Sequence, residues 1–306
     1  MTILVAGDTG LVGRAIVRKF NERQISFLGA SSKEVDFCDR NSTLEYVNHV
    51  KPEILIMAAA KVGGIVANRD NPVDFLSLNL QIQTNLLDAA HNAKVRKVVF
   101  LGSSCIYPRE CNQPIREASL LTGPLEPTNS AYAIAKISGV ELVKAYRKQY
   151  GHSWISLMPT NLYGPFDNFD LESSHVLPAL LRRFIEAKST GAKSVTLWGT
   201  GSPTREFLFV DDLASAILFC ANNFDDDLQI NVGTGIETSI KDLANLIKQI
   251  IGFEGSILWD KDKPDGTPRK VLDVGLLHSM GWKHTVELEE GIRRTYEWYL
   301  ESLRSA

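Results

Sequence analysis

Three short strings in this sequence have the residue types and spacing to do chemistry together. Gly7-Asp8-Thr9-Gly10-Leu11-Val12-Gly13 follows an apolar run directly and opens a helical pattern. Glycines permit a tight turn and the close approach of a pyrophosphate, and the free N–H groups and dipole of the following helix favour its charge. The spacing is GxxGxxG rather than GxGxxG, so plain turn chemistry competes until context is added. Tyr132-Ala133-Ile134-Ala135-Lys136 begins a second helical stretch. Positions i and i+4 share a helix face, which brings a phenol and an ammonium into one space. A cation nearby favours phenolate and suits tyrosine to proton transfer at a carbonyl. Alone, such a pair is more often a solvated helix face. Leu101-Gly102-Ser103-Ser104-Cys105 stands where another apolar run ends, the side on which doubly wound sheets bind ligands. Convergence on one cleft makes the three signals stronger than any one of them.

The elements that must position these strings are legible as a βα alternation. Apolar runs at Ile3 to Ala6, Ile25 to Leu28, Ile54 to Met57, Val98 to Leu101 and Trp154 to Met158 alternate with helical patterns at 11–20, 42–50, 71–92 and 131–150. Runs without polar alternation predict strands buried on both faces, as in a parallel sheet. Repeated β-then-α order implies right-handed crossovers and an α/β, Rossmann-type doubly wound sheet. From Tyr163 the pattern loosens into a Gly/Pro/Asn/Asp-rich loop. Helices are then expected near 175–188, 211–221, 239–251 (with Ser239 as cap) and 286–303, and short strands at Val195 to Trp198 and Gln229 to Val232. This reads as a dinucleotide-binding unit over 1–161, with a return of the chain around 207–235, and a smaller C-terminal α/β substrate lobe over 162–306.

Composition bounds the alternatives. A chain of 306 residues allows about two lobes at roughly 150 residues each. With 44% hydrophobic and 23% charged residues it is neither fibrous nor disordered in character. A net charge of −3 provides no polybasic face for nucleic acid or an anionic membrane. The best apolar run, Ile54 to Ala60, stops at Lys61, far short of the ~18 residues of a membrane span. The N-terminal residues lack the basic region and cleavage signature of a signal peptide. Cys38, Cys105, Cys111 and Cys220 have neither metal-ligand spacing nor disulfide density, so a cytoplasmic protein with free thiols and no metal is expected.

Gly7, Gly10, Gly13, Ser103, Tyr132 and Lys136 together resemble the extended short-chain dehydrogenase/reductase family, whose members act on nucleotide-diphosphate sugars. Longer strings narrow the resemblance to one branch, the 3,5-epimerase/4-reductases of GDP-4-keto-6-deoxy-D-mannose. They are Ala58 to Asn68, Gly102 to Pro108, Pro159 to Pro165, Ser174-His175-Val176, Arg205-Glu206-Phe207 and Lys263 to Lys270, spread nearly end to end. The resemblance implies that Tyr132 protonates the C4 oxygen as hydride arrives. Lys136 would lower the tyrosine pKa and hold the nicotinamide ribose, and Ser103 would bond the same oxygen. Cys105 and His175 resemble an acid–base pair for epimerisation beside the ketone, where an enolate needs stabilising. A thiol and an imidazole can both exchange protons near neutrality. Cys38, Cys111 and Cys220 lack such context and are read as structural.

The resemblance further implies that the cofactor meets Gly7, Asp8, Thr9, Gly10, Leu11, Val12 and Gly13, with Asp39 at the adenine. Leu101, Gly102, Ser103, Ser104, Lys136, Pro159, Thr160, Asn161, Leu162 and His175 would border the rest. Arg183, Trp198, Arg205 and Asp265 match contacts to GDP, for which an arginine fork suits the diphosphate. The helices at 71–92 and 131–150 resemble those through which the family forms homodimers. The reductant is expected to be NADPH, although Asp8-Thr9 stands where the family often has an arginine for the 2′-phosphate. Ser31, Ser32, Lys33 and Arg14 are the remaining donors, and no acidic residue for an NAD ribose stands at the strand end itself. An NDP-sugar 4-epimerase needs no Cys/His pair, and a 4,6-dehydratase would show Asp-Glu where Ser104-Cys105-Ile106 stands. A non-enzymatic nucleotide sensor would tolerate erosion of Ser103, Tyr132 or Lys136, and all three are intact.

Overall fold

The unalternating apolar runs become the middle of a parallel sheet. The computed structural model describes residues 2–171, 173–263 and 265–305, so Pro264 of the matched string lies outside the described residues. The first half runs β1 (Ile3–Ala6), α1 (Leu11–Glu22), β2 (Leu28–Ala30), α2 (Arg40–Val50), β3 (Ile54–Met57), α3 (Ile65–Asp70), α4 (Pro72–Asn92), β4 (Lys97–Leu101), α5 (Ser130–Tyr150) and β5 (Ile155–Pro159). It continues with β6 (Asn161–Tyr163), α6 (Val176–Ser189), β7 (Ser194–Trp198), β8 (Thr204–Phe209), α7 (Val210–Asn223), β9 (Ile230–Val232) and β10 (Glu237–Ser239). The chain ends with α8 (Ile240–Ile251), β11 (Ser256–Asp260), β12 (Arg269–Lys270), α9 (Gly275–Ser279) and α10 (Leu288–Ser305).

Six strands in the order β2-β1-β3-β4-β5-β9, all parallel, form the main sheet. Strands β1, β3, β4 and β5 are buried along their whole length. The period of two still operates, because it divides each strand between two apolar layers. Ile3 and Val5 pack with Ile16, Phe20 and Ile217 on one side, and Leu4 and Ala6 with Leu86, Leu87 and Val140 on the other. The strand order reverses between β1 and β3, and such a switch point opens a crevice at the carboxyl ends of the strands. A second, four-stranded sheet has β8 between β10 and β12, with β6 also pairing with β8, and β7 pairs with β11 beside it. A third apolar cluster, including Phe184, Phe209, Ile247 and Ile292, packs α6, α8 and α10 against these strands.

Several boundaries differ from the sequence expectation for physical reasons. Ile25 and Phe27 are not in a strand. They cover the base of the sheet, with the Phe27 ring edge-on to Phe20 at 5.4 Å, and β2 begins only at Leu28. β6, just before the loop expected from Tyr163, is a strand the sequence does not announce, because its pairing partner β8 lies more than 40 residues away. α3 has six residues, too short for a periodic pattern to show. Ser239 caps α8 as its sequence suggests, accepting from the Asp242 N–H at 2.9 Å.

Candidate active site

The glycine-rich turn crosses the top of β1 at the switch point. Gly7 has φ +89°, and a Cβ there would lie 2.5 Å from the Ala59 nitrogen, so β3's exit loop presses on this turn. A Cβ on Gly13 would lie 2.0 Å from the Gly7 carbonyl oxygen, which lets α1 start hard against the strand end. Gly10 is the opposite case, with its nearest such neighbour 3.9 Å away and open space beyond. It is also the N-cap of α1 without a side-chain cap, and no acidic residue stands in the first turn. The first glycine turns the chain, the third packs the helix, and the second leaves its N–H face accessible to an anion. These residues fit the pyrophosphate of a dinucleotide.

Ser103 follows the carboxyl end of β4 and caps the short 3-10 turn Ser104–Ile106, its hydroxyl accepting from the Cys105 N–H at 3.2 Å. Tyr132 and Lys136 lie in the first two turns of α5. Burial raises the Tyr132 phenol above its ordinary value, Cys105 adds to this, and a hydrogen bond with the Ser103 hydroxyl counters it. Lys136 is buried and donates to the Leu101 carbonyl at 2.8 Å, its ammonium 5.8 Å from the Tyr132 ring centre. Desolvation pushes its pKa down to about 8. Strand end and helix start thus bring Ser103, Tyr132 and Lys136 into one corner.

Two residues that sequence reasoning passed over complete the surroundings of Cys105. Asn129, just before α5, donates to the sulfur at 3.3 Å, and the Lys270 ammonium of β12 lies 3.7 Å from it. Lys270 belonged to a matched string, but only the fold carries it across 165 positions to Cys105. His175 immediately precedes α6. The residue is exposed, and desolvation of its ring holds the imidazole below the ordinary histidine value. The backbone that leads into it is seated on Gly64. That N–H donates to the Ser173 carbonyl at 2.7 Å, and a Cβ on Gly64 would lie 2.4 Å from the Ser174 carbonyl oxygen. Asn68 ties α3 to this seat through the Gly63 and Gly64 carbonyls, and α3 packs on the segment that ends at Asn129. His175 and Cys105 are therefore linked through one packed loop system.

Pro159, Thr160, Asn161 and Leu162 leave the carboxyl end of β5 beside this corner. Thr160 and Asn161 both bond the Glu206 carbonyl, at 3.3 and 2.8 Å. The four second-lobe candidates gather around β7 and β8. Arg205 donates to the Thr204 and Thr267 carbonyls at 2.7 and 2.6 Å, and burial lowers its pKa. Arg183 reaches the Thr196 carbonyl at 3.4 Å. Trp198 is more than half exposed, with the Lys263 ammonium 5.7 Å over its ring. Asp265 accepts from the Thr200 N–H at 2.9 Å and its hydroxyl at 2.7 Å, so its carboxylate ties two loops together.

At the other end of the crevice the candidates are placed less simply. Asp39 caps α2, accepting from Ser42 N–H at 2.6 Å, and that bond lowers its pKa. Ser31, expected to be a phosphate donor, is buried, and its N–H and hydroxyl both bond the Glu34 carboxylate. Arg14 donates to the Thr9 carbonyl at 3.0 Å and lies 4.4 Å from the centre of the Phe166 ring. The sequence placed no acid at the end of β2. The fold supplies Glu34, which the Ser31 turn carries back to the strand end, and Asp8, which leans over Gly29.

Residues 3–233 match the NAD dependent epimerase/dehydratase family. The chain is 53% identical over 302 residues to GDP-L-fucose synthase 1 of Arabidopsis thaliana, covering 98% of this chain and 94% of that one. It resembles the crystal structure of a GDP-L-fucose synthetase from Naegleria fowleri bound to NADP, with TM-score 0.91 at 30% identity, covering 100% of this chain and 95% of that one. A GDP-mannoheptose C4 reductase from Campylobacter jejuni with NADP bound gives TM-score 0.90 at 35% identity, covering 98% of each chain. The chain thus belongs to the NAD dependent epimerase/dehydratase family, and within it groups with the GDP-L-fucose synthases.

Proposed function

We propose that this chain converts GDP-4-keto-6-deoxy-D-mannose into GDP-L-fucose, epimerising C3 and C5 and then reducing the C4 ketone. The observation that carries the reading is the position of Cys105. Its sulfur is held by Asn129 and Lys270 beside the Ser103/Tyr132 pair, whereas a reductase alone has no task for such a thiol. A bound nicotinamide supplies the hydride to C4. Tyr132, whose proton burial secures, donates it to the C4 oxygen, and Ser103 orients that oxygen. Before reduction the same two hydroxyls stabilise the enolate that forms when a proton leaves C3 or C5. Cys105 and His175 remove and return protons on opposite faces, and the Lys270 ammonium faces the charge that forms on sulfur. Lys136 and the residues from Pro159 to Leu162 border the nicotinamide end, while Arg183, Trp198, Arg205 and Asp265 hold GDP.

In this reading residues 1–161, with the return at 207–235 that adds β9 to the sheet, hold the dinucleotide, and 162–306 hold the sugar nucleotide. Kinship favours NADPH, whereas the residues at the end of β2 do not fit its 2′-phosphate. The described residues include no helix long and apolar enough to cross a membrane. Free-thiol chemistry at Cys105 suits a reducing cytoplasm. A homodimer forms through the paired helices α4 and α5, which leave Val73, Ile134 and Tyr150 exposed.

The test is incubation with GDP-4-keto-6-deoxy-D-mannose and a reduced nicotinamide in heavy water, followed by NMR of the product. GDP-L-fucose carrying deuterium at C3 and C5 is expected. A reduced sugar without deuterium at either carbon would make the chain a plain C4 reductase and overturn the epimerase half.

A further inference from the structure

We infer that this chain takes its hydride from NADH in preference to NADPH, because Asp8 and Glu34 bring two carboxylates to the end of β2, where the 2′-position of the adenosine ribose belongs. The inference rests on the reading that the glycine-rich turn holds a nicotinamide dinucleotide. In such sites the ribose next to the adenine lies at the end of the second strand. A carboxylate there accepts from the 2′-hydroxyl of NAD, whereas an arginine there accommodates the 2′-phosphate of NADP.

Asp8 meets that requirement from the turn. Its Oδ2 lies 2.2 Å from where a Cβ on Gly29 would be, so the carboxylate is laid over the second strand just before its end. Its Oδ1 is buried without a hydrogen-bond partner, an acceptor that a ribose hydroxyl would satisfy. Glu34 comes from the turn that follows the strand. Its carboxylate is anchored by the Ser31 N–H at 2.8 Å and the Ser31 hydroxyl, which hold its pKa below the ordinary value and keep it charged. The two acids sense one another. Burial first, and then the charge of Glu34, raises the Asp8 carboxyl, and both acids add to the burial that raises the Tyr46 phenol. One corner thus concentrates negative charge.

The cations nearby do not reverse this. Arg14 lowers the Asp8 pKa only as the smallest of four contributions, and its guanidinium is engaged by the Thr9 carbonyl and the Phe166 ring. Lys33 is exposed and is the weakest of the influences on Glu34. Ser31 has given its donors to Glu34, which leaves exposed Ser32 and Lys33 from the donors that a phosphate would need. A 2′-phosphate, with a charge of about −2, would enter against two carboxylates. A 2′-hydroxyl would enter as a donor to them.

The experiment measures dissociation constants of NADH and NADPH by nicotinamide fluorescence, without sugar substrate, for the full chain and for Asp8→Asn and Ser32→Arg. NADH is expected to bind at least tenfold more tightly, or about 1.4 kcal/mol. Asp8→Asn should narrow that ratio threefold or more, chiefly by tightening NADPH. Ser32→Arg, at an exposed position two residues past β2, should narrow it independently. Raising ionic strength should also narrow the wild-type ratio, which a merely structural role for Asp8 would not produce. NADPH bound as tightly as NADH by the wild type would overturn the proposal. So would ratios within twofold of wild type in both variants. Failure of the wild type to bind either dinucleotide would instead remove the dinucleotide reading, and the inference with it.

Discussion

Lys136 is buried and charged, and its removal is expected to stabilise the fold while destroying the reductase. In the unfolded chain a lysine keeps its proton to about pH 10.4. Folded, Lys136 releases it near pH 8 because burial penalises the ammonium. Below pH 8 the charged group therefore costs the folded state about 3 kcal/mol. Replacement by methionine, of similar length and apolar, removes that cost. It also removes the bond to the Leu101 carbonyl, worth about 1–2 kcal/mol. The net expectation for Lys136→Met is about 1–2 kcal/mol of added stability at pH 7. The sign with pH follows from proton counting. Between pH 8 and 10.4 the unfolded wild type binds more protons than the folded one, so rising pH favours the folded wild type. The advantage of Lys136→Met must shrink over that interval, cancel between about pH 9 and 10 and then reverse, because the neutral amine still donates to the Leu101 carbonyl.

Urea unfolding of both proteins, without dinucleotide, at pH 7, 8, 9 and 10 measures this difference, and groups titrating in both cancel. Hydride transfer is followed separately as loss of nicotinamide absorbance with the keto sugar, and it should fall at least a hundredfold in the variant. A variant less stable than wild type at pH 7, or a stability gap constant across the pH series, would refute the reasoning that burial holds this ammonium under strain.

The remaining predictions divide the labour of the site. Cys105→Ser should slow deuterium exchange at C3 and C5 at least a hundredfold while dinucleotide binding survives, whereas Tyr132→Phe should suppress hydride transfer most; both are read by NMR and absorbance. Lys270→Met removes a positive charge 3.7 Å from the Cys105 sulfur, an attraction of about 1 kcal/mol in water and about 4 at an effective dielectric near 20. Exchange should therefore slow at least tenfold, with partial recovery in Lys270→Arg. Gly13→Ala should destabilise by at least about 1–3 kcal/mol in thermal unfolding, because its Cβ would meet the Gly7 carbonyl oxygen. Gly10→Ala should instead leave the melting temperature within a few degrees and weaken dinucleotide binding tenfold, since its Cβ enters open space where the pyrophosphate approaches. Sedimentation at micromolar concentration should show a dimer, and only monomer would remove the α4/α5 interface.

What could be read in advance from the residues is what local physics determines. Ile3 to Ala6 and Ile54 to Met57 are apolar at every position because both faces of their strands are covered, and that alone places them in the sheet. The glycines of the first turn and the i, i+4 pair Tyr132/Lys136 are likewise local, and the fold needs only to bring their elements together. Lys270 beside Cys105 and Asn231 beneath Tyr107 are contacts across 165 and 124 positions, with no periodicity to announce them. Glu34 escaped because the reading looked for an acid at the strand end, whereas the chain passes that point and the Ser31 turn brings the carboxylate back.

Glu206 makes the same point from the opposite direction. A charged residue within a β-strand reads as solvent-facing, yet Glu206 is fully buried. It stays there because its carboxylate accepts from the N–H groups of Thr234, Gly235 and Leu272 at 2.6, 2.8 and 2.8 Å, bonds that offset the burial that raises its pKa. Thr234 and Gly235 follow β9 of the main sheet and Leu272 follows β12, so this one side chain joins β8 to both. Its own carbonyl meanwhile holds Thr160 and Asn161 at the end of β5. Arg205, the next residue back along β8, is thereby fixed relative to the carboxyl end of β5. The cleft depends on a buried charge whose partners are backbone groups, and backbone groups carry no residue identity from which a sequence could reveal them.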